Sequence, residues 1–431
     1  MRKQIAAAVV LLVVAIGCSK QEAKQAGDKA KDAATNVADK VGDAIDVAVP
    51  IGDRDDPAAR EKERFDEQWR QLESIRQAQA VRAQQQQQAQ QAAQQQNVNV
   101  KFVANAKESF KGLDANAINN APVSVPIRGD VAGPSVLKTQ VYLDRQNFSV
   151  GALDGRWGRN SAIALWWFQR ARGINAADPG ALDEATFRAL ANGAGGVPAL
   201  VQYALTEEDT KGPFVSIPED VYEKQHLDCL CYESVKEKLA EQFHTTQEFL
   251  EQLNPNVKFG DLKAGDQLWV PNVRTALTAD QPDVARVQVS IRGNTFNAFD
   301  GNGNLVFHAP TTLGSKYDPS PRETLEVKKI TFKPHFHYQP TLFHEVPDSD
   351  PEANLPPGPN SPVGVVWVAL TKPHFGIHGT SDPDSIGYAS SHGCVRLANW
   401  DANDVARRLR PGVQVEFVDT RTADAQSAEK Q

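Results

Sequence analysis

Residues 84–96 hold ten glutamines in thirteen positions. A stretch like this cannot bury enough apolar surface to offset the entropy of ordering it. It closes a longer biased region: residues 19–50 are rich in Ala, Lys and Asp, and residues 57–96 in Arg, Gln and Glu. Ala, Gln, Lys and Glu favour helix, so parts can be helical or weakly coiled. With so few apolar residues, no core forms there, and any core is confined to the rest of the chain. Pro122, Pro126, Gly129, Gly133 and Pro134 mark the exit, so the reading is a spacer over 19–134.

Ahead of the spacer, Met1-Arg2-Lys3 is a basic start and Ile5 to Ile16 an apolar run of twelve residues, followed by Gly17-Cys18. The run is too short to span a bilayer and reads as an export signal over 1–18. Ala15-Ile16-Gly17-Cys18 resembles a bacterial lipobox. That resemblance implies acylation of Cys18 and, with Ser19 following, an outer-membrane anchor facing the periplasm. The other reading is an ordinary secretory signal with an incidental Cys. The full length of 431 residues allows two to four domains. A formal net charge of −8 gives no footing for nucleic acid.

Beyond the spacer three folded segments are legible. In the first, Leu137, Val141 and Leu143 recur at near-helical spacing. Phe148 to Gly158 reads as a loop, Ser161 as the cap of a helix carrying Ala164, Leu165, Phe168 and Gln169, and Asp183 as the start of a short helix through Leu190. Asp154-Gly155, Trp157-Gly158 and Phe168-Gln169, in that order, resemble the small three-helix peptidoglycan-binding domain, here 135–196. Of Trp166 and Trp167, one is expected in the core, and the other could line a glycan groove. Val197 to Pro213 reads as a linker.

In the second segment, Val235, Leu239 and Phe243 mark a short helix. Thr245 or Thr246 caps another through Leu253, and Gln267 to Pro271 is a closing strand. Leu253-Asn254-Pro255 through Leu262, Gly265, Leu268, Val270 and Pro271 resemble a LysM module over 215–275, which implies binding of N-acetylglucosamine-containing glycans. Tyr232-Glu233-Ser234 stands where Gly-Asp-Ser/Thr is usual, which leaves sugar affinity open.

The third segment begins near Ala285. Val287 to Ile291, Thr295 to Phe299, Leu305 to Ala309, Val327 to Phe332, Val363 to Leu370, His374 to His378 and Val413 to Val418 read as strands, and Asp401 to Leu409 as a helix. Asp300 to Asn304 is a hairpin turn. Residues 333–362, rich in Pro, form an insertion of the kind that serves as an active-site lid. Residues 419–431 read as a disordered tail.

This third segment carries the chemistry. Ser391-His392-Gly393-Cys394-Val395-Arg396-Leu397 sets a thiol beside a Gly, and Ile377-His378-Gly379-Thr380 supplies a second His upstream. A thiol nucleophile needs a base, because free Cys is only a few per cent thiolate near neutral pH. On spacing alone, a buried structural Cys among incidental His is an equal reading. The string also contains Gly358-Pro359-Asn360-Ser361-Pro362-Val363-Gly364, Ser385-Ile386-Gly387 and Asn399-Trp400-Asp401. Taken in order, it resembles the L,D-transpeptidase (YkuD-type) catalytic domain over 285–418.

The resemblance implies a multidomain chain of α and β structure. Its catalytic domain would be mainly β and sandwich-like, beside a small helical module and a small α+β LysM-like module. It also implies that Cys394 is the nucleophile and His378 the general base and acid, with the carbonyl of Gly379 or Thr380 orienting the ring. Backbone N–H groups near His392, Gly393 and Cys394 would hold the oxyanion. Ser391 would contact substrate, and Arg396 would either clamp a stem-peptide carboxylate or form a salt bridge inside the fold with Asp401. His392 would support the site or act as a substitute base.

The implied partners are peptidoglycan stem peptides and glycan. The acceptor is left open among a second stem peptide, a lysine of a wall-attached envelope protein, and water. No cofactor is implied. His335, His337, His344, His374, His378, His392 and Cys394 lie close in sequence. No compact ligand motif joins them, so metal catalysis is not the reading. Cys229 and Cys231 are one residue apart, and a bridge that short is strained, so free or partly buried thiols are expected. The competing function is a non-catalytic, lipid-tethered wall-binding protein, which has no use for the Cys394/His378 pair.

Overall fold

The computed structural model describes residues 100–274 and 283–419. The leader, Cys18, most of the spacer and residues 420–431 lie outside the described residues.

Folded structure begins earlier than composition predicts. Strand β1 (Phe102–Ala104) pairs in parallel with β2 (Val123–Val125), and helix α1 (Ala115–Asn120) lies between them. Asp114 caps α1, accepting from Ala117 N at 2.7 Å. Ile118, Val123 and Ile127 are buried. The spacer expected to run to 134 therefore ends in packed structure, because a few apolar residues there find a core built by distant segments.

Helix α2 (Pro134–Arg145) is buried on nearly all sides. Pro134 sits in its first turn, where a missing N–H costs nothing. Its polar side chains are tolerated because they are paired. Gln140 donates to Asp154 Oδ1 (3.0 Å) and Arg156 O (2.9 Å) and accepts from Gly155 N (2.8 Å). Helices α3 (Arg159–Ala171) and α4 (Glu184–Gly193) pack on α2. Ser161, expected to cap α3, instead lies within its first turn and accepts from Gln140 Nε2 at 3.2 Å. Gln140 draws the Asp154–Gly158 turn onto α2, so the helix starts sooner. Asp183 caps α4 through Thr186 N at 2.7 Å. Trp166 is buried, whereas Trp167 is half-buried with its ring 6.1 Å from that of His308, so it is used at the contact with the C-terminal part of the chain.

Residues 197–213 are not a linker. They contain β3 (Leu200–Ala204), which pairs antiparallel with β4 (Gln267–Pro271). The ladder encloses α5 (Glu207–Thr210), α6 (Val221–Lys224), α7 (Val235–Gln242) and α8 (Gln247–Leu253). A module starting at 215 would cut this pair apart. With its partner beyond four helices, β3 had no local turn signal. Ser234 caps α7, and Thr246 caps α8. Leu143, Leu165, Phe168 and Phe187 share one apolar core with Leu239, Leu250, Leu268 and Val270, so the helical part and the β3–β4 part are packed as a unit.

Cys229 and Cys231 form a disulfide, which corrects the expectation of free thiols. The segment after α6 is coil rather than strand. Its Cα atoms therefore approach to 5.2 Å, within the span a bridge tolerates.

The C-terminal part is built on β5 (Arg286–Ser290), β6 (Thr295–Phe299), β7 (Leu305–Pro310), β8 (Thr324–Phe332), β9 (Phe336–Tyr338), β10 (Ala353–Leu355), β11 (Val366–Leu370), β12 (Gly376–His378), β13 (Val395–Arg396) and β14 (Gln414–Val418), with α9 (Asn399–Arg408) before β14. Eight of these strands form one curled sheet in the order β13-β12-β11-β8-β14-β5-β6-β7. The expected pair of sheets is thus a single sheet. The cause is β8, which pairs with β14 through Thr324–Glu326 and with β11 through Val327–Phe332. Val287, Val289, Phe296, Ala298, Val366, Val368, Ile377 and Val395 face inward with Ala402 and Val405 of α9.

The insertion at 333–362 is anchored at its base. β9 and β10 pair, and Ala353 and Leu355 form a small core with Leu230. Tyr222 OH donates to Pro351 O (3.0 Å), and Asn360 Nδ2 donates to Cys231 O (2.9 Å).

Arg274, just past β4, joins the two halves. Its side chain is buried against three carboxylates: Asp144 of α2, Asp401 (Nη2–Oδ1 2.6 Å) and Asp404 (Nε–Oδ2 2.8 Å) of α9. Asp144 also accepts from Arg274 N (2.9 Å) and faces His244 Nδ1 (3.0 Å).

Candidate active site

β12 and β13 run parallel, with Ile377 opposite Val395 and His378 opposite Arg396. Side chains alternate along a strand. Ile377 and Val395 are fully buried in the core. His378 and Arg396 therefore project to the other face; Cys394 lies in the bend just before β13, and the Arg396 charge acts on both its thiol and the His378 ring. This register brings together the thiol, the imidazole and the guanidinium singled out in the sequence.

His378 is held from both sides. Its Nδ1 donates to Gly379 O at 2.6 Å, and its ring stacks on Trp367 with centroids 5.4 Å apart. A proton on Nδ1 leaves the lone pair on Nε2. Burial, then the nearby Arg396 charge, pull the imidazole down to about 3, so it is neutral over the physiological range. Burial pushes the Cys394 thiol up to about 11, opposed by the Gly376 N–H and Arg396. In this state the thiol donates to His374 O at 3.4 Å. The site therefore stores a neutral thiol and a neutral base rather than a standing ion pair.

The loop before Cys394 is shaped by Gly393, whose φ of +102° suits Gly. A Cβ there would stand 2.8 Å from Phe375 Cε1. Ser391 is buried, and its hydroxyl donates to Cys394 O at 2.8 Å; Ser320 Oγ donates to Gly393 O at 2.9 Å. Among the described residues, the N–H groups of Gly393 and Cys394 have no protein acceptor. His392 is exposed and its Nε2 lies 2.8 Å from Glu345 Oε1 of the insertion. No carboxylate pairs with Arg396 among the described residues. Asp401, one partner considered for it, is taken by Arg274 and by Ser149 Oγ at 2.8 Å.

Asn399 was visible only as part of a motif, and its task is tertiary. Its Oδ1 accepts from Thr380 N (3.1 Å) and Val365 N (3.3 Å). Its Nδ2 donates to Pro359 O (3.1 Å) and to Glu241 Oε1 (2.9 Å) on α7. Gly364 and Gly379 make room, since a Cβ on either would collide with Asn399 Oδ1. Burial pushes Glu241 up to about 8. The turn that orients His378 is thus tied to the N-terminal half. Asn399→Ala should strand several buried polar groups and cost about 2–4 kcal/mol. It should also slow thiol acylation at least about tenfold by loosening the turn. Urea unfolding and mass-shift kinetics check this, and unchanged kinetics would show that the turn stands without Asn399.

A family model described as the L,D-transpeptidase catalytic domain matches residues 285–417. A putative L,D-transpeptidase YkuD of Bacillus licheniformis is 30% identical over 179 residues, covering 42% of this chain and 90% of that protein. The chain belongs to the YkuD-type L,D-transpeptidase family. It is an enzyme, a cell-wall L,D-transpeptidase, and the tether reading is not favoured. The probable L,D-transpeptidase YbiS of Escherichia coli is 37% identical over 67 residues, 16% of this chain and 22% of that one. Among solved structures, L,D-transpeptidase 3 of Mycobacterium tuberculosis with a faropenem-derived adduct is similar at 18% identity and a TM-score of 0.26, covering 36% of this chain and 75% of that one. The family match falls on the β5–β14 region, which in this L,D-transpeptidase carries Cys394, His378 and Arg396.

Proposed function

We propose that Cys394 attacks the carbonyl between the L-centre of diaminopimelate and the terminal D-Ala of a stem tetrapeptide. His378 Nε2 takes the thiol proton and returns it to the leaving amine, so D-Ala departs and a thioester remains. An acceptor amine then displaces the thiol, giving a 3→3 cross-link or a wall-attached protein. The N–H groups of Gly393 and Cys394 are the donors for the oxyanion. Arg396, without an internal carboxylate partner, clamps a stem-peptide carboxylate. Ser391 braces the loop, and His392 supports it from the insertion side. The observation that carries this reading is Arg396, opposite His378 in the ladder, acting on both the Cys394 thiol and a neutral His378 imidazole. The three-helix and β3–β4 parts serve as wall-binding modules, and Cys18 as the lipid anchor in the periplasm.

The test is a strain lacking the gene, complemented with wild type, Cys394→Ala or Cys18→Ala. Wild type should restore 3→3 cross-linked muropeptides or wall-linked protein, and Cys394→Ala should restore neither. Restoration by Cys394→Ala would overturn the nucleophile. Fractionation should find wild type with the outer membrane and Cys18→Ala in the soluble periplasm, and identical fractionation would overturn the anchor.

A further inference from the structure

We infer that Asp318, His344 and His392, joined by Glu345, form a divalent-cation site that fastens the tip of the 333–362 insertion to the loop carrying Cys394. One ligand atom from each of Asp318, His344 and His392 lies within 4.8 Å of the others. They come from three separate places: the β7–β8 connection, the insertion tip and the catalytic loop. His344 Nδ1 faces Asp318 Oδ2 at 2.8 Å and Glu345 Oε2 at 3.5 Å. His392 Nε2 faces Glu345 Oε1 at 2.8 Å, so Glu345 straddles both rings. The rings are braced from behind, Tyr317 stacking on His344 (4.9 Å) and Phe343 set edge-on to His392 (4.8 Å).

Two exposed His–carboxylate pairs by themselves hold little, since such surface pairs are weak and salt-screened. Convergence of four such groups from three segments has a stronger use. Zinc takes imidazole nitrogen and carboxylate oxygen at about 2.0–2.2 Å in a tetrahedron, which sets ligand atoms about 3.3 Å apart. The two 2.8 Å pairs would open slightly to reach that spacing, and the ligand atoms that stand up to 4.8 Å apart would close onto the ion. A mixed nitrogen and oxygen set suits zinc better than calcium or magnesium. The ion would replace the hydrogen bonds between rings and carboxylates, lock the insertion tip onto the loop two residues before Cys394, and narrow access to the thiol. This is a clamp beside the reaction and supplies none of its steps. It also differs from the His335/His337 pair noted in the sequence, where His337 faces Glu352 at 2.9 Å instead.

Chelator-treated full-length protein should bind one equivalent of Zn²⁺ at micromolar concentration by calorimetry, with a rise of a few degrees in its melting temperature. His344→Ala and Asp318→Asn should each weaken binding at least about tenfold, and Cys394→Ala should leave it intact. Zinc should slow carbapenem acylation of Cys394 several-fold in wild type and leave the rate of His344→Ala unchanged. No binding at 100 µM zinc, taken as about the weakest useful affinity, would mean that the cluster is only ion pairs. Binding lost in Cys394→Ala but kept in His344→Ala would place the ion on the thiol. Either result overturns the site, and neither bears on whether Cys394 performs transpeptidation.

Discussion

Purified protein mixed with a carbapenem, whose strained ring amide offers an electrophilic carbonyl, should gain one drug mass on the Cys394 peptide. His378→Ala should slow that gain by about 10²–10⁴, the usual range for a lost general base. With the thiol held up to about 11, only about one molecule in 10⁴ carries a free thiolate at pH 7. Attack must therefore be coupled to proton removal by Nε2. The imidazole sits at about 3, so it stays unprotonated from pH 5 to 8. The wild-type rate should be nearly flat over that range, with no inflection near 6.5, where an ordinary His titrates. In His378→Ala, attack depends on the thiolate alone, and the rate should climb about tenfold per pH unit toward the thiol's own titration. Cys229 and Cys231, being bridged, should take no label. A wild-type inflection near 6.5, or indifference to His378, would show that the pair does not work as a neutral thiol and base.

Arg274→Ala should cost about 3–5 kcal/mol of stability in urea unfolding, because it leaves buried carboxylates without their cation. The residue serves three at once. Its guanidinium holds Asp144 down to about 2 against burial, while burial prevails at Asp401 and pushes it up to about 6 despite Arg274. Without Arg274, burial is less opposed at these groups: Asp144 is no longer held below the unfolded value near 3.8, and Asp401 rises further above it. A carboxyl raised in this way stabilises below its unfolded value, and that contribution is lost as pH rises through its folded value. The deficit of Arg274→Ala should therefore be largest at pH 7–8 and shrink toward pH 5. Arg274→Lys should recover only part, since one compact ammonium cannot face three carboxylates as a planar fork does. The catalytic sheet should loosen from α2 in the variant, and limited proteolysis of the full-length protein should accelerate. A variant as stable as wild type at pH 7 would show that the cluster is not what joins the halves.

Much of the candidate site was legible because its signals are local. Alternation in Val287 to Ser290 and Thr295 to Phe299 marks strands whatever they pair with. Cys394 beside Gly393, and His378 followed by Gly379, are short patterns whose chemistry follows from the residue types. The caps Asp183 and Thr246 are equally local. Errors arose where the deciding partner was remote. β3 reads as linker in sequence because β4, its ladder partner, lies beyond four helices. The spacing of Cys229 and Cys231 argues against a bridge, but the coil there brings the Cα atoms to 5.2 Å.

The sequence by itself determined the candidate reacting groups and the strand-rich region that carries them, since composition and short periodicities act over a few residues. Only the tertiary structure decided what holds those groups in place. Asn399 meets Glu241 from 158 positions away, and Arg274 meets Asp144 from 130. Such pairs leave no periodic trace along the chain. They are selected by burial, where a charge or amide left alone is costly, and burial at these positions exists only once the sheet, α9 and the N-terminal core have packed together.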